Sequence, residues 1–160
     1  MSPASRLSIL LGAMSADLMR VTAQATIVVL VGVAVGVHFE TGVPGALVLI
    51  ALSGLFGLSY SGLGFAMALK TGNAQSTQTV QFLFLPLLFL STLFAPREAL
   101  SGWLATAARF NPLTYLLEGM RSLSMTGWDP GALAGAIAAV AALGTVSIGL
   151  ALLAFRGRVR

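Results

Sequence analysis

The sequence predicts an all-α membrane protein with four transmembrane helices, an amphipathic helix ahead of them and two short helices in the last connection. Three observations carry the prediction. Hydrophobic residues make up 57% of the 160 positions and charged residues 9%, a balance far from that of a water-soluble domain. The mean hydropathy is +0.93. Four apolar runs approach or exceed the roughly 20 residues that a helix needs to cross a hydrocarbon core about 30 Å thick.

Residues 1–17 open with Ser2 as a helix N-cap and Pro3 at the first helical position, where a missing N–H leaves no bond unmade. Leu7, Leu10, Leu11, Met14 and Leu18 then share one face, the pattern of a helix lying along the cytoplasmic membrane surface. A signal peptide does not fit, because the run from Leu7 to Leu11 is short and Met14-Ser15-Ala16 is a poor cleavage site. The spans follow at 18–37, 43–69, 80–95 and 131–155. Pro86, inside the third, removes one backbone hydrogen bond and predicts a bend.

Residues 96–130 are too polar to cross but keep helical periodicity on either side of Asn111-Pro112. Leu100, Trp103, Leu104, Ala107 and Ala108 form one stripe, and Leu113, Leu116, Leu117 and Met120 another. Pro112 disfavours helical backbone at Asn111, so the chain turns there. Trp103, Tyr115 and Trp128 suit the headgroup level, where amphipathic rings concentrate.

Charge sets the orientation. One end of the bundle collects Arg6, Arg20, Lys70, Arg156, Arg158 and Arg160, the other only Arg97, Arg109 and Arg121. The positive-inside rule then puts both termini in the cytoplasm, with the chain in the inner or plasma membrane. These basic residues sit at the ends of apolar segments instead of among aromatics on one face, so they are no nucleic-acid footprint. The absence of cysteine excludes disulfide and thiolate chemistry. One histidine and five scattered carboxylates supply no nucleophile and base and no metal cluster, so no enzyme is predicted.

Several polar and small residues are candidates for function. Gln24, flanked by Thr22 and Thr26, predicts an interhelical hydrogen bond or a substrate contact. Gly32 and Gly36, Gly131 and Gly135, and Ser53, Gly57 and Ser61 lie four apart, as where membrane helices approach closely. Glu118 and Arg121 predict an i, i+3 ion pair on the second short helix; at depth such a pair lines a wet vestibule. Gly64 with Lys70-Thr71 imitates a phosphate-binding loop, but Leu69 replaces its second glycine and no strand precedes it. ATP, if used, is bound by another chain.

The runs Phe89-Leu90-Ser91-Thr92-Leu93-Phe94-Ala95-Pro96, Gly102-Trp103-Leu104, Asn111-Pro112-Leu113-Thr114-Tyr115 and Glu118-Gly119-Met120-Arg121 resemble the C-terminal signature of type-2 ABC exporter permeases, particularly the daunorubicin-resistance group. Upstream, Pro3, Ser5, Arg6, Gly12, Asp17, Arg20 and Gln24 resemble the stretch before that family's third membrane helix. The resemblance implies a permease subunit moving an amphipathic substrate such as a drug or lipid. It would work as a homodimer or permease heterodimer with cytoplasmic ABC ATPase subunits that hold ATP and Mg.

By that comparison the four spans correspond to the family's third to sixth, and 96–130 to its pair of external re-entrant helices. The first two spans have no counterpart, so a partial permease is expected. Pro3, Ser5, Arg6, Gly12, Asp17 and Arg20 would couple to the ATPase; Gln24, Pro86, Asn111, Pro112, Tyr115, Glu118 and Arg121 would serve translocation or gating. The alternatives are a non-transporting structural fragment or assembly partner, and a small multidrug transporter independent of an ATPase.

Overall fold

The computed structural model describes residues 3–73 and 76–156, with side chains left aside at 3–11, 76, 77, 79, 81, 152, 155 and 156. Ser2, read as an N-cap, and Arg158 and Arg160, used in the orientation, lie outside the described residues. The regular structure among them is helical: α1 Pro3–Ala34, α2 Gly42–Thr71, α3 Ser76–Phe89, α4 Gly102–Phe110, α5 Pro112–Arg121 and α6 Pro130–Arg156. A 3-10 turn at Arg97–Ala99 precedes α4, and a π-helical turn at Ser122–Thr126 follows α5. Three stretches are long and apolar enough to cross a membrane: Gly12–Ala34, Gly42–Thr71 and Pro130–Ala151.

The boundaries differ most from the sequence reading in α1 and α3. The surface helix and the first span form one unbroken α1, because no proline or glycine lies between Ala13 and Val21 to interrupt it. α1 then stops short of Val37. Gly36, at φ 100°, donates its N–H to Val33 O at 3.0 Å while Val37 N–H reaches Gly32 O at 2.9 Å. This paired closure satisfies carbonyls that the last turn leaves free.

The third span was read at 80–95, whereas α3 ends at Phe89 and its 14 residues rise only about 21 Å. The Ser91 hydroxyl ends it by competing for backbone groups. It donates to Leu88 O at 2.6 Å and accepts from Leu93 N–H at 3.3 Å.

α2 is the hub: α6, α1 and α3 pack against it, and α5 packs on α6. Leu52 and Phe56 of α2 meet Leu113 and Leu116 of α5 and Ala136 and Val140 of α6 in one core, with Leu123 between them. Leu52 lies about 15 Å along α2 from Gly42, so α5 sits well inside the length of its neighbour. The predicted α5 stripe is therefore the buried one, with Leu113 4% and Leu116 3% exposed. On α4 Ala108 is buried, but Trp103 is 74% exposed.

Tertiary packing also sorts the small residues. A Cβ at Gly57 would stand 2.7 Å from Val21 on α1, and one at Gly135 3.3 Å from the Tyr115 ring. Gly32 and Gly36 face no other helix among the described residues; Gly36 instead ends α1.

Candidate functional site

Asn111 has φ −87° and ψ 116°, the extended backbone that a following proline demands. Its side chain serves two helices. Oδ1 accepts from Leu113 N–H at 3.0 Å and caps α5. Nδ2 donates to the Leu87 carbonyl, one of the acceptors left over in the last turn of α3. Pro86 occupies that same turn, so Pro86, Asn111 and Pro112 meet at one place.

A second set of bonds ties the turn after α3 to α5. Arg97 grips Glu118 through two parallel contacts, Nε to Oε1 and Nη2 to Oε2, both 2.9 Å. The guanidinium also lies 5.0 Å from the centre of the Tyr115 ring, within cation–π range. Arg121 donates to the Thr92 carbonyl at 2.6 Å. The Thr92 hydroxyl donates to the Thr114 carbonyl at 3.5 Å, and the Tyr115 hydroxyl to the Arg109 carbonyl at 2.8 Å. The α1–α2 turn joins this end, with the buried Thr41 hydroxyl donating to the Leu123 carbonyl.

Glu118 and Arg121 therefore do not pair with each other. Each reaches back to residues 92–97 instead. The physical reason is geometric: a guanidinium fork meeting a carboxylate makes two charge-assisted bonds, while an i, i+3 helix pair is worth a few tenths of a kcal/mol.

Towards the other end, α1, α2 and the start of α3 leave a polar cleft of about 420 Å3, lined by Asp17, Arg20, Gln24, Tyr60 and Ser61 among others. Residues 17, 20 and 24 are i, i+3, i+7 and share one helix face. Asp17 Oδ1 lies 3.6 Å from Arg20 Nη1, with the aspartate side chain 25% and the arginine 74% exposed. Gln24 is exposed and makes no hydrogen bond, and hence no interhelical bond, among the described residues. Its neighbours differ: Thr22 packs under Gly54, and the Thr26 hydroxyl bonds back to Thr22 O. The Tyr60 hydroxyl is held by Val80 O at 2.6 Å, which joins α2 to α3.

A family profile described as ABC-2 type transporter matches residues 1–125. The chain belongs to the ABC-2 type transporter family. Its curated relatives include the probable doxorubicin resistance ABC transporter permease protein DrrC from two strains of Mycobacterium tuberculosis, each 24% identical over 125 residues. The alignment covers 78% of this chain and 45% of each relative, so the chain spans about half the length of the curated relatives it matches. No solved structure matches it.

Membership places this ABC-2 chain in a membrane, as its three long apolar helices require. The structure distributes the predicted residues over two regions. Pro86, Asn111, Pro112, Tyr115, Glu118 and Arg121 cluster where α3 meets α5. Asp17, Arg20 and Gln24, read from sequence as two different groups, line one cleft. Gly12 opens the first apolar stretch with empty space beside it, and the side chains of Pro3, Ser5 and Arg6 lie outside the described ones.

Arg97, Thr92 and Tyr60 were missed. Arg97 stands directly after Pro96 and 21 positions before its partner, so no local periodicity exposes it. Thr92 contributes through its backbone carbonyl and carries no side-chain signal for that role.

Proposed function

We propose that this chain is the membrane-spanning part of a permease subunit in an ATP-driven exporter that moves an amphipathic substrate, such as a drug or lipid, out of the cytoplasm. The observation that carries this reading is the ABC-2 match over residues 1–125, beside the similarity to relatives named for doxorubicin resistance. ATP and Mg are held by a separate cytoplasmic ABC ATPase subunit, and two permease copies, identical or related, complete the assembly.

Four crossings fit this reading. α3 and residues 90–95 make the third: α3 lies along α2 through the Phe56, Tyr60 and Phe84 rings, and Asn111 receives its far end. α4 and α5 form an external re-entrant pair, which the packing of α5 against Leu52 and Phe56 supports. Both termini face the cytoplasm, where most of the basic residues then lie.

Pro3, Ser5, Arg6 and Gly12 meet the ATPase at the N-terminal end of α1. Because α1 is unbroken to Ala34, it carries motion as one rod past Asp17 and Arg20 to Gln24. At the other end Pro86, Asn111, Pro112, Tyr115, Glu118 and Arg121 hold the gate between α3 and α5.

Co-purification of the chain from membranes with a co-expressed ABC ATPase subunit tests the reading. The ATPase should be recovered with the wild-type chain and lost with Arg6→Glu. Failure to recover it with both the wild-type chain and a version extended to the relatives' length would remove the exporter assignment.

A further inference from the structure

We propose that the cleft between α1, α2 and α3 binds a phospholipid whose headgroup carries a primary ammonium beside its phosphate. Asp17, Arg20 and Gln24 all lie within the apolar stretch Gly12–Ala34, at increasing distance from its N-terminal end. Measured down the helix from Ala34, Gln24 stands about 15 Å away, Arg20 about 21 Å and Asp17 about 26 Å. Asp17 thus lies nearest the membrane surface at that end, with Arg20 about one turn and Gln24 about two turns deeper.

The order matches such a lipid group by group. Ammonium, phosphate, glycerol ester and acyl chains run from the surface inward, opposite carboxylate, guanidinium, amide and then the exposed Ile27, Val28 and Val31 of the same helix. Asp17 accepts from the ammonium, Arg20 donates to the phosphate, and the Gln24 amide donates to an ester carbonyl.

Energetics point the same way. An exposed arginine and an unbonded amide at this depth are costly in hydrocarbon. The single 3.6 Å contact to Asp17 leaves most guanidinium donors unused. A phosphate can accept two of them in parallel. The pair is neutral overall, so an anionic lipid lacking the amine would set its phosphate near an uncompensated Asp17 carboxylate.

Native mass spectrometry of the whole chain in maltoside detergent tests this, with dioleoyl phosphatidylethanolamine and dioleoyl phosphatidylglycerol added at equal concentration. The wild type should retain the ethanolamine lipid about tenfold more, the effect of one charge-assisted hydrogen bond. Asp17→Asn should erase that preference while phospholipid is still bound. Arg20→Gln should weaken both lipids, and Gln24→Leu should weaken both by less. Asp17→Arg combined with Arg20→Asp keeps the pair but inverts its order, so it should lose the preference with helical content unchanged by circular dichroism.

Equal retention of the two lipids by the wild type, or an undiminished preference in both Asp17→Asn and the inverted variant, would overturn the proposal. Millimolar phosphoethanolamine should not displace the lipid; displacement would make the soluble headgroup the ligand and overturn the lipid assignment. No ATPase is needed, so this result stands apart from that of the exporter reading.

Discussion

Asn111 uses both ends of its amide on helix termini, donating to Leu87 O on α3 and accepting from Leu113 N–H on α5. Asn111→Ala should lose a cap worth about 1 kcal/mol and a hydrogen bond worth about 1 kcal/mol. Asn111→Asp keeps the acceptor but turns a carboxylate oxygen toward the Leu87 carbonyl, so it should unfold no later than the alanine variant. Thermal unfolding in detergent separates the two contributions; a wild-type midpoint for Asn111→Asp would mean that the α3 contact contributes nothing. A second test concerns Glu118. A double-mutant cycle with Arg97 should give a coupling of about 1 kcal/mol, and one with Arg121 a value near zero. The reverse result would restore the i, i+3 pair. The Asn111-Pro112 break was legible from the sequence because proline acts on its immediate neighbour. The Arg97 partner was not, because 21 residues separate it from Glu118.

Glycines show how far a spacing rule reaches at the level of the helix. A Cβ at Gly119 would come within 2.7 Å of the Ala136 Cβ and 3.3 Å of Ala132 O on α6, neither of which is a movable side-chain tip. Gly119→Ala should therefore cost about 1–3 kcal/mol through overpacking. Gly32 meets only Val37, at 3.8 Å, so Gly32→Ala should be neutral or stabilise α1 by up to about 1 kcal/mol. Chemical or thermal unfolding of the two variants checks the contrast, and equal effects would undo it. The small-residue spacing looked alike at Gly32, Gly57 and Gly135. Only packing shows that Gly57 and Gly135 lie under another element.

For the whole molecule the sharpest question is whether α3 and the turn after it cross the membrane. The chain has no native cysteine, so single replacements report cleanly. Asn73→Cys should be shielded from impermeant thiol reagents on intact cells, and Trp128→Cys should be labelled. Labelling of both from one side would leave α3 on the surface and reduce the crossings to three. By itself the sequence determined the membrane setting, the positions of α2 and α6, and the helix break at Asn111-Pro112. Hydropathy, run length and proline's steric reach are properties of a residue and its near neighbours, so they can be read without a fold. Only the tertiary structure decided that α1 is one rod, that Glu118 belongs to Arg97, and that Asp17, Arg20 and Gln24 share a cleft with Tyr60. These depend on which groups from distant parts of the chain compete for the same hydrogen bonds and the same space, a competition that begins only once the helices are side by side.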